Sequence, residues 1–200
     1  MEVNVWLVIL VQSALIPFLQ FGSAVLPSNF AARKTCHAGS GALMLLLDSK
    51  DVVARCFVYL VVVTSLAMTW RCVPKRVENF RFGKDYDWGI TCYLVIVGFW
   101  FYMQLPVRVL APLFFADPAG AIVGKFFSKR GLNVVWWENK TVAGTAAVAL
   151  FAYLSVDVPD ATARALMAVL CALAEAFGGQ TFDNAVIAVV IIGGWFFYQA

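Results

Sequence analysis

Residues 52–70 read VVARCFVYLVVVTSLAMTW, and this run decides the class of fold. It contains one charged residue, Arg55, in a stretch whose length matches the roughly 20 apolar residues that an α-helix needs to cross the hydrocarbon of a bilayer. A strand pattern of alternating apolar and polar residues is absent from it. The run therefore predicts a membrane-crossing helix.

The composition of the whole chain agrees with this prediction. Of its 200 residues, 62% are hydrophobic and 14% are charged, and the mean hydropathy is +0.81. Ordinary soluble domains are about 45–50% apolar and about 25% charged. A water-soluble globular enzyme and a disordered chain are both excluded by these values, and we expect a polytopic membrane protein.

Further apolar runs lie on both sides of residues 52–70. They cover about 3–21, 35–47, 88–104, 141–156, 161–177 and 185–198, with a half-length run at 107–116. We therefore predict an all-α fold, a transmembrane helical bundle of about seven or eight segments, some of them short or broken. The chain is expected to form a single integral membrane domain, 1–200, in which 1–32 is an uncleaved N-terminal anchor segment and 33–200 is the core.

The basic residues are distributed unevenly when the connections alternate across the membrane. One side then carries 11 of the 15: Arg33, Lys34, Arg71, Lys75, Arg76, Arg81, Lys84, Lys125, Lys129, Arg130 and Lys140. The positive-inside rule makes this the cytosolic side, or the stromal side in a plastid. The net charge of +3 is too small to indicate a nucleic-acid partner, and five scattered cysteines without a CxxC pair indicate neither zinc nor disulfides.

Asp117 and Pro118 form the first polar motif on that side. Proline after an aspartate N-cap predicts the start of a helix, which we expect to run to about Lys129. Its free N–H groups would form an anion site that Gly120 and Gly124 leave open. The alternative is that these glycines pack against another helix.

A second motif, Glu138-Asn-Lys140-Thr141, precedes an apolar run of small residues. Lys140 and the N–H groups at the start of that helix could hold a phosphate. A lysine at the membrane interface beside a threonine cap is the alternative interpretation of the same residues.

Carboxylates inside or beside apolar segments form the third group. Glu175 ends an apolar segment, and Asp183 begins the next one, where it could also be a simple N-cap. Burying a carboxylate in a bilayer is costly, so these residues and Asp117 are candidates for function. Together they offer the oxygen ligands that Mg²⁺ prefers. His37, the single histidine, follows Arg33 and Lys34, and it is also explained as an interfacial hydrogen-bonding residue.

Taken in order, four blocks of this chain resemble the CTP-dependent polyprenol kinase family, which includes dolichol, phytol and farnesol kinases and CTP-dependent diacylglycerol kinases. The blocks are Arg33-Lys34-x-x-His37, Ala116-Asp117-Pro118-Ala119-Gly120 with Gly124-Lys125, Asn139-Lys140-Thr141-Val-Ala-Gly144-Thr145, and Glu175 followed by Asp183-Asn184. The resemblance covers the chain from about Arg33 to its end.

The resemblance implies phosphoryl transfer from CTP, with Mg²⁺, to the hydroxyl of a lipid alcohol. It implies Asp117, Glu175 and Asp183 as catalytic residues, with Asp117 and Asp183 as Mg²⁺ ligands. The residues implied for binding nucleotide or phosphate are Lys125, Lys140, Thr141, Gly120, Gly124, Asn184, Arg33, Lys34 and His37.

Two other functions remain open at this stage. A membrane cytidylyltransferase that makes a CDP-lipid would use a similar aspartate followed by lysine and threonine. A small transporter or scaffold without enzymatic activity would use the short run before Asp117 as a broken helix. The expected partners are the nucleotide, the lipid alcohol and membrane lipids, and endoplasmic reticulum, plastid and bacterial inner membrane fit the sequence equally.

Overall fold

A computed structural model describes residues 4–22, 24–26, 28–72, 85–179 and 181–199. Within these ranges the chain forms eight α-helices and one short two-stranded hairpin, so the predicted all-α fold is confirmed. The chain divides into two compact units, Met1–Val107 and Arg108–Ala200. The candidate carboxylates all belong to the second unit.

The first unit contains four helices: α1 (Val5–Phe21), α2 (Asn29–Met44), α3 (Val52–Thr69) and α4 (Trp88–Tyr102). Helix α1 packs against α2 and α3, and α3 packs against α4. The side chains of Asp51 and Asp87 cap the starts of α3 and α4 by accepting hydrogen bonds from backbone N–H groups.

The start of α2 differs from the sequence prediction. The helix begins at Asn29, not at about residue 35, because Ser28 Oγ accepts a hydrogen bond from the N–H of Ala31 at 3.4 Å. The polar residues after Ser28, including Arg33 and Lys34, are therefore helical. Lys75, Arg76, Arg81 and Lys84 lie outside the described residues, so the predicted charge asymmetry between the two sides stays a prediction.

The second unit begins at Arg108, within a 3₁₀ turn, Val107–Leu110, that leads into α5 (Ala111–Ser128). Strands β1 (Val135–Trp137) and β2 (Lys140–Thr141) follow, and then α6 (Val142–Ser155), α7 (Ala161–Phe177) and α8 (Asp183–Gln199). Each of these helices packs against the next one in the chain, and α5 also contacts α8. Each of the four helices thus packs against two others of the unit.

The predicted helix start at Asp117 is wrong. Asp117 and Pro118 lie inside α5, which begins six residues earlier with Pro112 in its first turn. Pro118 costs the helix one hydrogen bond. A break there would leave up to four N–H and four C=O groups unpaired in a buried segment, so the continuous helix is favoured. The free N–H anion site expected near Gly120 does not form, because those groups lie within the helix.

The hairpin between α5 and α6 was not predicted from the sequence. Val135 pairs with Thr141 and Trp137 with Lys140 in antiparallel register. Glu138 has φ of +42° in the connecting turn, and the N–H of Val142 donates to the carbonyl of Val134 at 2.9 Å. The hairpin therefore delivers Lys140 directly to the start of α6.

Among the described residues, two helices are long and apolar enough to cross a membrane by length and composition: Val52–Thr69 and Val107–Ser128, the second including the 3₁₀ turn. Only 22% of the first span is buried, and Val52, Leu60 and Val63 are each more than 60% exposed. Shorter apolar helices cover Val5–Phe21, Trp88–Tyr102, Val142–Ser155 and Asp183–Tyr198. These features indicate association with a membrane.

Candidate functional site: a carboxylate cluster with a paired lysine

Three carboxylates from three helices of the second unit meet at one place. One oxygen each from Asp117, Glu175 and Asp183 lies within 4.8 Å of the other two. Asp117 comes from the middle of α5, Glu175 from the end of α7 and Asp183 from the start of α8. Asp117 and Glu175 are 7% and 9% exposed. The structure thus brings together all three residues that the sequence nominated as catalytic.

Lys140 is the cationic partner of this cluster. Its Nζ donates a hydrogen bond to Glu175 Oε1 in an ion pair whose two side chains are 13% and 12% exposed. Removing water from such a pair strengthens the attraction between the two charges. Lys140 therefore offsets part of the mutual repulsion of the three carboxylates.

Close packing of α5 against α6 determines where Lys140 lies. A Cβ atom at Gly124 would be 2.8 Å from Thr141 Oγ1, and one at Gly120 would be 2.4 Å from Val148 Cγ2. A Cβ atom at Gly144 would be 3.0 Å from the carbonyl oxygen of Gly120. The glycines nominated for phosphate binding are thus in the helix interface, which is the alternative that the sequence left open.

Thr141 begins α6 as its N-cap. Its Oγ1 accepts a hydrogen bond from the N–H of Gly144 at 3.2 Å and occupies the space between the glycines of the two helices. The threonine cap that the sequence offered as the alternative interpretation is present, and the role of Thr141 in binding phosphate stays a prediction. Its position one residue after Lys140 links the ion pair to the α5–α6 interface.

Asn133 was missed in the sequence although it holds this region together. Its Nδ2 donates to the carbonyl of Gly124 at 3.0 Å and to Ser128 Oγ at 3.1 Å. Its Oδ1 accepts from the N–H of Ala143 at 3.2 Å. One side chain therefore connects the end of α5 to the start of α6, which no local sequence pattern reveals.

The aromatic neighbours of the site were also missed. Trp136 Nε1 donates to Thr145 Oγ1 at 2.8 Å, and the rings of Trp136 and Trp137 lie edge to face with Phe177 at centroid distances of 6.1 and 5.1 Å. Phe177 is two residues after Glu175. The hairpin is thereby fixed to the same end of α7 as the ion pair.

The α7–α8 connection places Asp183 beside Glu175. A Cβ atom at Gly178 would be 2.8 Å from Asp183 Cα, and Gly179 has φ of +70°. Asn184 follows Asp183 and is 6% exposed, and its Oδ1 has no hydrogen-bond partner among the described residues, which do not include residue 180. It shares the buried face of α8 with Ile187. A buried amide oxygen without a partner is costly, so this atom is available to a ligand donor.

The remaining nominated residues belong to α2 and to the last turn of α5. In the first unit, Arg33 forms an ion pair with Asp87 at 3.7 Å, Lys34 is half-buried, and the His37 ring lies 4.6 Å from that of Tyr93. Lys125 is an exposed residue in the last turn of α5. Their proposed roles in binding nucleotide stay predictions.

The donor set of the cluster fits a hard divalent cation. Three carboxylate oxygens within 4.8 Å supply the ligand type that Mg²⁺ prefers, and Mg²⁺ usually binds through one or two carboxylates together with substrate phosphates. The arrangement could therefore hold a cation between Asp117 and Asp183 while Lys140 contacts a phosphate oxygen. A cation held there would bind and neutralise anionic oxygens.

No protein-family model, curated protein or solved structure matches this chain.

Proposed function

We propose that the protein is a multi-pass membrane kinase that transfers the γ-phosphoryl group of a nucleoside triphosphate to the hydroxyl of a lipid alcohol. The observation that carries this proposal is the meeting of Asp117, Glu175 and Asp183 within 4.8 Å, with Lys140 paired to Glu175. CTP as donor follows from the resemblance of the four sequence blocks. The active face is the cytosolic or stromal one.

In this reaction the phosphoryl group passes directly from the nucleotide to the alcohol, without a covalent bond to the protein. The hydroxyl oxygen of the lipid alcohol bonds to the γ-phosphorus, the bond from that phosphorus to the bridging oxygen breaks, and the nucleoside diphosphate leaves. The hydroxyl proton passes to a carboxylate of the cluster. Asp117 and Asp183 would hold Mg²⁺, which would supply positive charge to offset the charge of the phosphate oxygens. Catalysis of this kind rests on positioning and charge neutralisation.

The position of the cluster favours a lipid acceptor. Asp117 is eleven residues before Ser128, which places it about 16 Å along the axis from the end of α5 at 1.5 Å per residue. The span Val107–Ser128 is one of the two long apolar helices. With this span across a bilayer, the cluster lies below the surface, where the hydroxyl of a membrane-dissolved alcohol can reach it.

Labelling of a lipid panel tests the proposal. The purified full chain is incubated with Mg²⁺ and γ-labelled CTP or ATP, together with phytol, farnesol, dolichol or diacylglycerol in detergent micelles. We expect label in at least one phosphorylated lipid, with CTP the better donor. Absence of label from all four lipids with both nucleotides contradicts the proposal.

Lys140→Gln tests the electrostatic role of the lysine. Glutamine can still donate a hydrogen bond to Glu175 but loses the charge, so the free energy of unfolding without Mg²⁺ falls by about 1 kcal/mol. Added MgCl₂ is expected to raise the melting temperature of the variant more than that of the wild type, because the cation replaces the lost charge. Lys129→Gln, an exposed lysine in the same unit, is the control. Equal Mg²⁺ effects on all three proteins would exclude a cation site at the cluster.

Gly178→Ala tests the placement of Asp183. The new methyl group would be 2.7 Å from the carbonyl oxygen of Ala174 and 2.8 Å from Asp183 Cα, so α8 must move. We expect lipid labelling to fall about tenfold or more, since an error of 1 Å in a reacting group has large effects on rate. Gly193→Ala, where a methyl group meets nothing within 4 Å, is expected to keep full activity. Full activity of the Gly178 variant would show that Asp183 is not needed in this position.

A further inference from the structure

The end of α5 and the chain that leads into the hairpin form a surface that, apart from Lys125, has no part in the proposed reaction. This basic aromatic surface comprises residues 125–137. Its cations are Lys125, Lys129 and Arg130, and its main apolar side chains are Phe126, Phe127, Leu132, Val135, Trp136 and Trp137. Each of these apolar residues is more than a third exposed. The surface contains no acidic residue, and Glu138 follows it in the hairpin turn.

The exposure of these side chains is a fixed property of the fold. Asn133 hydrogen-bonds to Gly124, Ser128 and Ala143, and the N–H of Leu132 donates to the carbonyl of Phe127 at 3.1 Å. The segment is thus tied to both α5 and α6. Its apolar side chains stay outside because the backbone that carries them is held in place.

The surface also projects beyond its neighbour helix. Gly124 packs against Gly144, which is in the first turn of α6, and the two helices are joined by the hairpin. Residues of α5 after Gly124 therefore continue past the start of α6. Within the second unit, the three cations and the two exposed phenylalanines lie on this projecting end.

Arg130 is placed among the aromatic residues. Its guanidinium carbon lies 3.5 Å from the centroid of the Phe126 ring, so its charge is held next to apolar surface. Exposed tryptophans beside lysine and arginine are the residues that proteins use at the boundary between hydrocarbon and headgroups. A purely aqueous surface with this many exposed aromatic rings would be unfavourable.

We propose that the basic aromatic surface binds anionic phospholipid headgroups of the leaflet on the active face, with its aromatic and aliphatic side chains in the interfacial layer. Helix α5 ends at Ser128 as one of the two candidate spans, so residues after it lie at headgroup depth when that span crosses the bilayer. The positive charge of the surface complements anionic lipids. The proposal rests on the membrane insertion proposed above and not on the kinase reaction.

Lipid-specific quenching of tryptophan fluorescence tests this proposal without measuring activity. The full chain in mixed micelles is titrated with brominated phosphatidylglycerol or brominated phosphatidylcholine, and the relative binding constant of the two lipids is obtained. We expect stronger binding of phosphatidylglycerol, and a loss of about fivefold in that preference for each cation removed, up to about thirtyfold for Lys129→Gln/Arg130→Gln. Inorganic phosphate should not compete, because the surface binds a lipid and not a free anion.

Two controls make the result specific. Lys50→Gln/Arg108→Gln removes two exposed cations from other connections and is expected to keep the preference. Trp137→Phe keeps a ring beside Phe177 but removes one indole, so the headgroup-dependent part of the quenching should decrease. Equal binding of both lipids, or an unchanged preference in Lys129→Gln/Arg130→Gln, would overturn the proposal. If the surface instead bound an acidic protein, the wild-type chain would show no preference between the two lipids, which would also overturn it. Lipid labelling by the kinase assay is independent of either outcome.

Discussion

Asp117→Asn is expected to lower the rate of lipid phosphorylation by about 100- to 1,000-fold. Asparagine has nearly the shape of aspartate but no charge, so it cannot hold a cation against the phosphate oxygens as a carboxylate does. The same change removes one of three like charges within 4.8 Å, so the melting temperature should stay the same or rise. Activity and stability are measured on the same purified preparation.

The opposite response of these two quantities separates a role in the reaction from a role in folding. A residue needed only for packing would lose stability and activity together. Asp157→Asn, which changes an exposed aspartate of the α6–α7 connection, is expected to alter neither. Wild-type activity in the Asp117→Asn variant would show that this carboxylate has no role in the reaction.

Gly144→Ala is expected to destabilise the second unit by about 1–3 kcal/mol, as overpacked cores usually are. The added methyl group would be 2.9 Å from Thr141 Oγ1 and 3.0 Å from the carbonyl oxygen of Gly120. Neither atom can move without shifting a helix or breaking the cap of α6. For a chain of this size, the melting temperature should fall by about 2–12 °C.

Gly193→Ala is the matched control for this change. Position 193 is also helical, but a methyl group there meets nothing within 4 Å. Because alanine favours helices over glycine, this variant should be as stable as the wild type or slightly more stable. If Gly144→Ala melted at the wild-type temperature, α5 and α6 could not be packed as closely as described here.

The parts of the fold that sequence predicts well are those determined by local chemistry. The run 161–177 matches α7 residue for residue, and Thr141 caps α6 as expected. Apolar length and capping side chains are properties of a few neighbouring residues, so a single sequence reveals them.

Predictions that failed depend on distant contacts. The pair Asp117-Pro118 has the local chemistry of a helix start, but packing of α5 against α6 and α8 keeps the helix continuous through it. The hairpin at 135–141 depends on its register and on bonds from Asn133, neither of which has a strong local pattern.

Sequence alone predicted which carboxylates form the site better than it predicted how the residues of the site contact one another. Carboxylates are rare in apolar segments, so Asp117, Glu175 and Asp183 could be nominated from sequence alone. The choice of Lys140 as the partner of Glu175 depends on how α6 begins beside the end of α7, which only the structure shows. Arg33 and His37 contact Asp87 and Tyr93 within the first unit, and their nominated roles in binding nucleotide stay predictions.

The most direct test of the central claim follows two labels through one reaction. The full chain is given Mg²⁺ and its best lipid alcohol with CTP labelled in either the α- or the γ-phosphate. We expect only the γ-label to enter the lipid, with one CDP released for each lipid phosphorylated, and Asp117→Asn to slow this transfer by about 100- to 1,000-fold. Entry of the α-label into the lipid with release of pyrophosphate would instead identify a cytidylyltransferase, and entry of neither label would contradict an enzymatic role for the carboxylate cluster.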